Sequence, residues 1–180
     1  MLKLLRRSNT IMTLALLMLA RNAMSIEYTA HVHGQAELTI AFEQEQISFN
    51  LVAPAETLFG FEHTASSSNE ITKVASSKKY LSQFNNIIQF NKGKCQVNKI
   101  DMDMGVTAIK AQHEHSQDRS HKEVKISYQL KCRNAENITS ASVELFKQYP
   151  ALKKVHVLWL GYSQQGSADL GPENTRISFH

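Results

Sequence analysis

Hydrophobic and polar side chains alternate along the chain from Gln35 onward, which is the spacing of a strand with one buried face. The apolar positions of this first segment are Ala36, Leu38, Ile40 and Phe42. After the polar residues 43–46, a second alternating segment runs from Ile47 to Leu51 and ends near Pro54. The two segments predict an antiparallel hairpin.

A helix is predicted farther along the chain. Ser67 and Glu70 have the spacing of a capping box, in which two side chains satisfy free backbone N–H groups of the first helical turn. Apolar residues at helical spacing follow, so we expect a helix from the early seventies to the mid-eighties, with Gly93 ending it.

Two further segments have the alternation of strands. Residues 95–104 change register near Asn98-Lys99, which indicates a bulge, and residues 123–132 alternate without a break. We expect these two strands to lie side by side, with residues 105–122 as the loop that joins them.

The last part of the chain predicts a short helix around 142–148, stopped by Pro150, then an apolar strand at 155–160 and a turn containing Gly166. The complete order is ββαββαβ(β). It predicts a single α+β domain in which two helices pack on an antiparallel sheet of about six strands.

The first 25 residues have the pattern of a secretory signal. Lys3, Arg6 and Arg7 precede the apolar segment 11–20, which is short for a permanent membrane anchor, and Ala23-Met24-Ser25 offers a cleavage site. We therefore expect residues 1–25 to be a cleavable signal peptide and residues 26–180 to be the exported domain. An uncleaved signal anchor is the alternative.

The net positive charge of the chain comes from the basic residues of this leader. The formal net charge is +4, and residues 1–25 contain four basic residues, Lys3, Arg6, Arg7 and Arg21, with no acidic one. The remainder is therefore neutral, which argues against a nucleic-acid-binding protein with a broad basic face.

Export changes how the two cysteines are interpreted. Cys95 and Cys132 are the only cysteines, and an oxidising compartment favours a structural disulfide over a free nucleophilic thiol or a two-thiolate metal site. Their spacing is also not the C-x-x-C of catalytic redox proteins.

Histidines are the candidate metal-binding residues of this chain. Five of the eight lie in two short stretches, and the first of these is His31-Val32-His33. On an extended segment two such imidazoles lie on one side, about 6.6 Å apart, where both can reach one ion. Imidazole nitrogen suits zinc and other transition metals. Two solvated histidines at the start of a strand are the alternative.

The second stretch lies in the predicted loop and contains His113, His115 and His121 with two carboxylates, a set that favours metal capture over a rigid catalytic geometry. An ordinary polar loop is the alternative. His63 is a candidate third ligand for His31 and His33, or a histidine packed on Phe59 and Phe61.

The remaining two histidines are not predicted to be ligands. His156 lies in an apolar strand and is expected to be a core histidine, and His180 is the last residue, where fraying is expected.

The sequence has no nucleophile elbow and no phosphate-binding glycine loop. One enzyme pattern remains, because His31-x-His33 followed by Glu37 copies part of the ligand spacing of a cupin. On one straight strand, however, Glu37 lies about 13 Å beyond His33. A small cupin-like metalloenzyme is therefore kept as an alternative, and a structural envelope protein with incidental histidines is a second one.

The mature chain resembles the ZrgA-like proteins, which are exported bacterial proteins associated with zinc uptake. The matching residues, in order, are His31-Val32-His33-Gly34, Pro54-Ala55, Gly60-Phe61-Glu62-His63, Gly93-Lys94-Cys95, Tyr128–Cys132, Leu145-Phe146, Tyr149-Pro150 and Gly166–Leu170. The H-x-H-G and G-F-E-H segments are the more specific ones.

The resemblance implies a periplasmic protein that binds Zn²⁺ and is not an enzyme. It implies partners in an ABC-type zinc importer and an energy-coupled outer-membrane route, with His31, His33 and His63 as ligands. The segment 113–121 matches a histidine-rich insert that is typically longer in relatives. Whether this short version binds an ion of its own or passes zinc to His31 and His33 is left open.

Overall fold

A six-stranded β-sheet is the centre of the computed structural model, which describes residues 32–107 and 122–179. The predicted signal peptide, His31, the histidines of the loop and His180 lie outside the described residues. Within the described part of the chain, no helix is long and apolar enough to cross a membrane.

Nine strands and three α-helices are present in the described ranges. The strands are β1 (Gln35–Glu43), β2 (Gln46–Pro54), β3 (Ile88–Phe90), β4 (Lys94–Asp103), β5 (Glu123–Arg133), β6 (Ser140–Val143), β7 (Lys154–Leu160), β8 (Gln165–Leu170) and β9 (Arg176–Ser178). The helices are α1 (Ala55–Phe59), α2 (Ser68–Leu81) and α3 (Leu145–Gln148), with 3₁₀ turns at Phe84–Asn86 and Ala135–Asn137.

The strands form two sheets. The large sheet has the order β4-β5-β2-β1-β7-β8, and the small sheet has the order β3-β6-β9. The mixed α/β class with a large sheet agrees with the sequence prediction. The prediction of a single sheet of about six strands was wrong, because three short strands form a second sheet. The all-antiparallel pairing was also wrong, since β1 and β7 run parallel.

Alternation along each strand separates a buried face from a solvent-facing one. Leu38 on β1, Phe49 on β2, Ile126 on β5 and Val157 on β7 are almost fully buried. Their neighbours in sequence lie on the opposite side, which we call the open face because its described side chains are exposed or half-buried. One face of the large sheet thus carries the core, and the other meets solvent.

Several local predictions are confirmed. The hairpin of β1 and β2 forms, β4 and β5 pair with a register shift between Val97 and Lys99, and Cys95 is bonded to Cys132. The capping box of Ser67 and Glu70 is present at the start of α2.

Other local predictions need correction. Helix α2 ends at Leu81 rather than in the mid-eighties, and Gly93 belongs to a later turn. The segment predicted as a helix at 142–148 begins as β6 and becomes helical only at Leu145. Gly166 lies inside β8 and not in a turn. A Cβ atom at Gly166 would lie 2.6 Å from the ring of Trp159, so the indole occupies the space that a side chain would need.

Loss of the disulfide should destabilise the fold. The bond closes a loop between positions 37 apart in sequence, and the chain-entropy estimate gives it about 4 kcal/mol. We expect the Cys95→Ser/Cys132→Ser variant to lose about that much unfolding free energy in urea titrations. The native chain under reducing conditions is the control and should match the variant. A loss below about 1 kcal/mol would contradict the estimate.

Candidate metal centre

The turn before β1 is fixed by the peptide groups of Gly34. The N–H of Gly34 donates to Oγ1 of Thr57 at 3.0 Å, and its carbonyl accepts from the N–H groups of Lys153 and Lys154 at 2.7 and 3.1 Å. Gly34 has a φ of 77°, a conformation that favours glycine. These bonds hold the backbone next to His33 against α1 on one side and the start of β7 on the other.

Helix α1 presents one acidic side chain to solvent. Its residues Ala55, Thr57, Leu58 and Phe59 are buried, whereas Glu56 is exposed. The helix ends at Phe59, and the next residue, Gly60, has a φ of 78° and donates its N–H to the carbonyl of Glu56 at 2.7 Å. That left-handed residue turns the chain sharply and brings Glu62 back toward Glu56.

His33, Glu56 and Glu62 converge, and we call this group the His33 site. Nδ1 of His33 is 2.7 Å from Oε2 of Glu56 and 3.8 Å from Oε1 of Glu62. One potential ligand atom from each residue lies within 4.8 Å of the other two. The side chains of His33 and Glu56 are 59% and 47% exposed, and that of Glu62 is 26% exposed.

The donor set fits a transition-metal cation. One imidazole nitrogen and two carboxylates are ligand types that zinc accepts, and three protein ligands leave a fourth tetrahedral position for water or another donor. The two carboxylate charges balance a divalent ion when the imidazole is neutral. Oε1 of Glu62 is shielded from solvent, and it is the oxygen that lies 3.8 Å from Nδ1 of His33. The group can therefore hold a metal ion near the protein surface.

The histidine of the G-F-E-H segment lies outside this group. Nε2 of His63 is 2.9 Å from Oε1 of Glu70, and its ring centre is 5.0 Å from that of Phe61. Glu70 also accepts hydrogen bonds from the N–H groups of Ser66 and Ser67, each at 3.0 Å. His63 thus extends the cap of α2, while its neighbour Glu62 reaches His33.

Glu56 and Glu62 were not predicted as ligands from the sequence, although signals for both were present. Glu62 stands inside the G-F-E-H segment, directly before the histidine that was chosen, and Glu56 follows Pro54-Ala55. Carboxylates are common on surfaces, and only the tertiary fold brings these two to the same histidine.

The ends of the predicted histidine loop lie beside the same segment. The N–H of Ala55 donates to the carbonyl of Lys122 at 2.8 Å, and the N–H of Ala65 donates to the carbonyl of Val106 at 2.9 Å. Residues 55–65 contain Glu56 and Glu62. The described residues on both sides of the loop are therefore hydrogen-bonded to the segment that supplies the two carboxylates.

His156 is not the core histidine that the sequence suggested. It lies on the open face with 45% of its side chain exposed, and its Nδ1 is 2.6 Å from Oδ1 of Asp169 on β8. The hydrogen bond from His156 is the main cause of a lowered pKa of Asp169. The apolar strand β7 has a buried face and an exposed face, and His156 lies on the exposed face together with Leu158 and Leu160.

The model of one protein family, described as "ZrgA family zinc uptake protein", matches residues 30–179. The chain belongs to the ZrgA family. The match covers the described domain, including His33, Glu56 and Glu62, and it supports a role in zinc uptake. A search of curated proteins gave no match.

The hydroxyl of Thr57 should matter for metal affinity because it positions the turn that carries His33. Thr57→Val leaves the N–H of Gly34 without this acceptor, and such a loss in a partly buried place costs about 1–2 kcal/mol. We expect zinc affinity to fall about tenfold in calorimetry, with a matching loss of stability. Thr57→Ser keeps the hydroxyl and should bind like the native chain. Equal affinities for the valine and serine variants would contradict this role.

The cap of α2 should make the free energy of unfolding depend on pH in the acidic range. The N–H groups of Ser67 and Ser66, followed by the His63 ring, lower the pKa of Glu70 to about 2 from an ordinary value of 4.5. Ionised Glu70 therefore stabilises the fold above about pH 4.5, and this contribution is lost as the pH falls toward 2.

We expect the unfolding free energy of the native chain to fall more steeply across this pH interval than that of Glu70→Gln. Urea unfolding at a series of pH values measures the difference. Glu173→Gln, an exposed glutamate outside the cap, is the control and should follow the native curve. Parallel curves for the native chain and Glu70→Gln would refute the effect.

Proposed function

We propose that this ZrgA family member is an exported accessory protein that captures Zn²⁺ at the His33 site and hands it to the zinc uptake machinery. The observation that carries the proposal is the convergence of His33, Glu56 and Glu62 at the surface of a chain from a zinc uptake family. Zinc is the cargo here, and the chemistry is exchange without turnover of a substrate.

The exposure of the site supports exchange. Two of the three donor side chains are about half exposed, so an incoming ligand can approach the ion without a large rearrangement of the fold. A site with three protein ligands also keeps a position where a donor from a partner can bind before the ion leaves. An enclosed catalytic centre would instead exclude solvent around its open position.

Additional histidines are proposed to recruit zinc to this site. His31 is two residues from His33, and the predicted loop carries His113, His115 and His121. Val106 and Lys122, on the two sides of that loop, are bonded to the segment that supplies Glu56 and Glu62. A short connection between recruiting and receiving ligands favours transfer within one molecule, because it raises the effective concentration of the ion.

The cellular setting is part of the proposal. The leader pattern in residues 1–25 and the Cys95–Cys132 disulfide support export to the periplasm. Zinc bound there is available to an ABC-type importer and to components of the outer-membrane route, which we propose as the partners.

Calorimetry with zinc tests the ligand set. At pH 7.5 the exported chain, purified without a histidine tag, should bind zinc with micromolar or tighter affinity. We expect His33→Ala and Glu62→Gln each to lower that affinity by about tenfold or more, because each removes a donor. His63→Gln should stay within about threefold of the native value, since His63 bonds to Glu70 in the structure.

Each outcome of this experiment distinguishes between the possible ligand sets or tests the proposed function itself. Absence of zinc binding at micromolar concentration would overturn the proposed function. A loss in His63→Gln as large as that in Glu62→Gln would add His63 to the ligands, as the sequence suggested. Retention of native affinity in His33→Ala would move the site elsewhere, with a His31→Ala variant as the next comparison.

Zinc affinity should also fall below about pH 6.5, because ligating imidazoles must be neutral and histidine titrates in that region in model peptides. Calorimetry at pH 7.5, 6.5 and 5.5 measures the decline. Affinity that is constant over this range would show that histidine does not contribute to the site.

A further inference from the structure

The open face of the large sheet carries a group of side chains of the types that bind metals, separate from the His33 site. His156 on β7 is paired in register with Glu37 on β1 and with Asp169 on β8. Residues paired in this way on neighbouring strands are about 5 Å apart and have side chains on the same face. One row of the sheet thus places an imidazole between two carboxylates.

The carboxylate of Asp169 orients the imidazole. Oδ1 of Asp169 is 2.6 Å from Nδ1 of His156, so a proton on Nδ1 makes this hydrogen bond and leaves the lone pair on Nε2. Histidine ligands of metals have this arrangement, in which the second ring nitrogen donates to a carboxylate. The side chain of His156 is 45% exposed, which gives an ion access to it.

Glu37 is the residue on β1 that is paired in register with His156. It lies beside His156 on the exposed side of β1, and its carboxylate makes no hydrogen bond or ion pair with residues 32–107 or 122–179. Asp169, by contrast, is shared, because Nζ of Lys154 lies 3.5 Å from its Oδ2. Asp169 therefore balances the lysine, and Glu37 is the carboxylate left to balance a bound cation.

We propose that His156 and Glu37 form a second, weaker site for a transition-metal ion such as Zn²⁺, with Asp169 positioning His156. Two protein donors and a nearby lysine make this site weaker than the His33 site, where two carboxylates face one histidine. The remaining coordination positions face solvent. The proposal concerns residues outside the His33 site and stands or falls independently of it.

Nuclear magnetic resonance of ¹⁵N-labelled histidine side chains tests the proposal, with Zn²⁺ as the probe. In the metal-free chain, His156 should have its proton on Nδ1, and Asp169→Asn should reduce that preference. During a zinc titration, the Nε2 resonance of His156 should shift after the His33 resonances have saturated. Because the signal belongs to one ring, zinc bound to other histidines cannot produce it.

Variants give the second readout. Glu37→Gln should weaken zinc binding at His156 by about fivefold or more, whereas Glu43→Gln, another exposed glutamate on the same side of β1, should leave it unchanged. His156→Gln should abolish the weaker binding event and leave the affinity of the His33 site intact. Thermal unfolding of each variant verifies that the fold is retained.

Two results would overturn the proposal. One is an Nε2 resonance of His156 that does not move up to millimolar zinc. The other is a zinc-induced shift of equal size and midpoint in the native chain and in Glu37→Gln. Neither result affects the proposed function, which fails instead if the native chain binds no zinc at micromolar concentration.

Discussion

The peptide groups of Gly34 hold together the three parts of the chain on which the candidate site depends. The N–H of this residue binds Thr57 on α1, and its carbonyl binds the backbone at Lys153 and Lys154. Each of these polar groups would cost free energy if it were left without a partner in a partly buried place. His33 and Glu56 flank the two ends of the Gly34–Thr57 hydrogen bond, so the same bond that satisfies the backbone also holds the two candidate ligands next to each other.

Much of this architecture was predictable because its causes are local. Alternation identified β1, β2, β4, β5 and β7, and the capping box identified the start of α2. The strands of the small sheet have only three or four residues, which is too few for a periodic pattern to stand out. The parallel pairing of β1 with β7 depends on tertiary contacts between distant segments, which the alternation within each strand does not specify.

The candidate site was predictable in part for a related reason. Histidines are infrequent, so the pair His31 and His33 directed attention to the start of β1, where His33, Glu56 and Glu62 converge. Glutamates are frequent, and nothing in their spacing distinguishes Glu56 and Glu62 from those that only face solvent. The side that His156 occupies, however, was encoded in the alternation of β7: Val155, Val157 and Trp159 are buried, and the residues between them are not.

The parallel pairing of β1 with β7 has a consequence for the order in which the site is completed during synthesis. A chain made from its amino terminus contains His33, Glu56 and Glu62 early, but the N–H groups of Lys153 and Lys154 that bind the Gly34 carbonyl are added much later. Contacts between such distant segments form late because closing the long intervening loop costs entropy. A chain that does not yet include Lys153 and Lys154 therefore holds His33, Glu56 and Glu62 without two of the hydrogen bonds that fix the Gly34 turn.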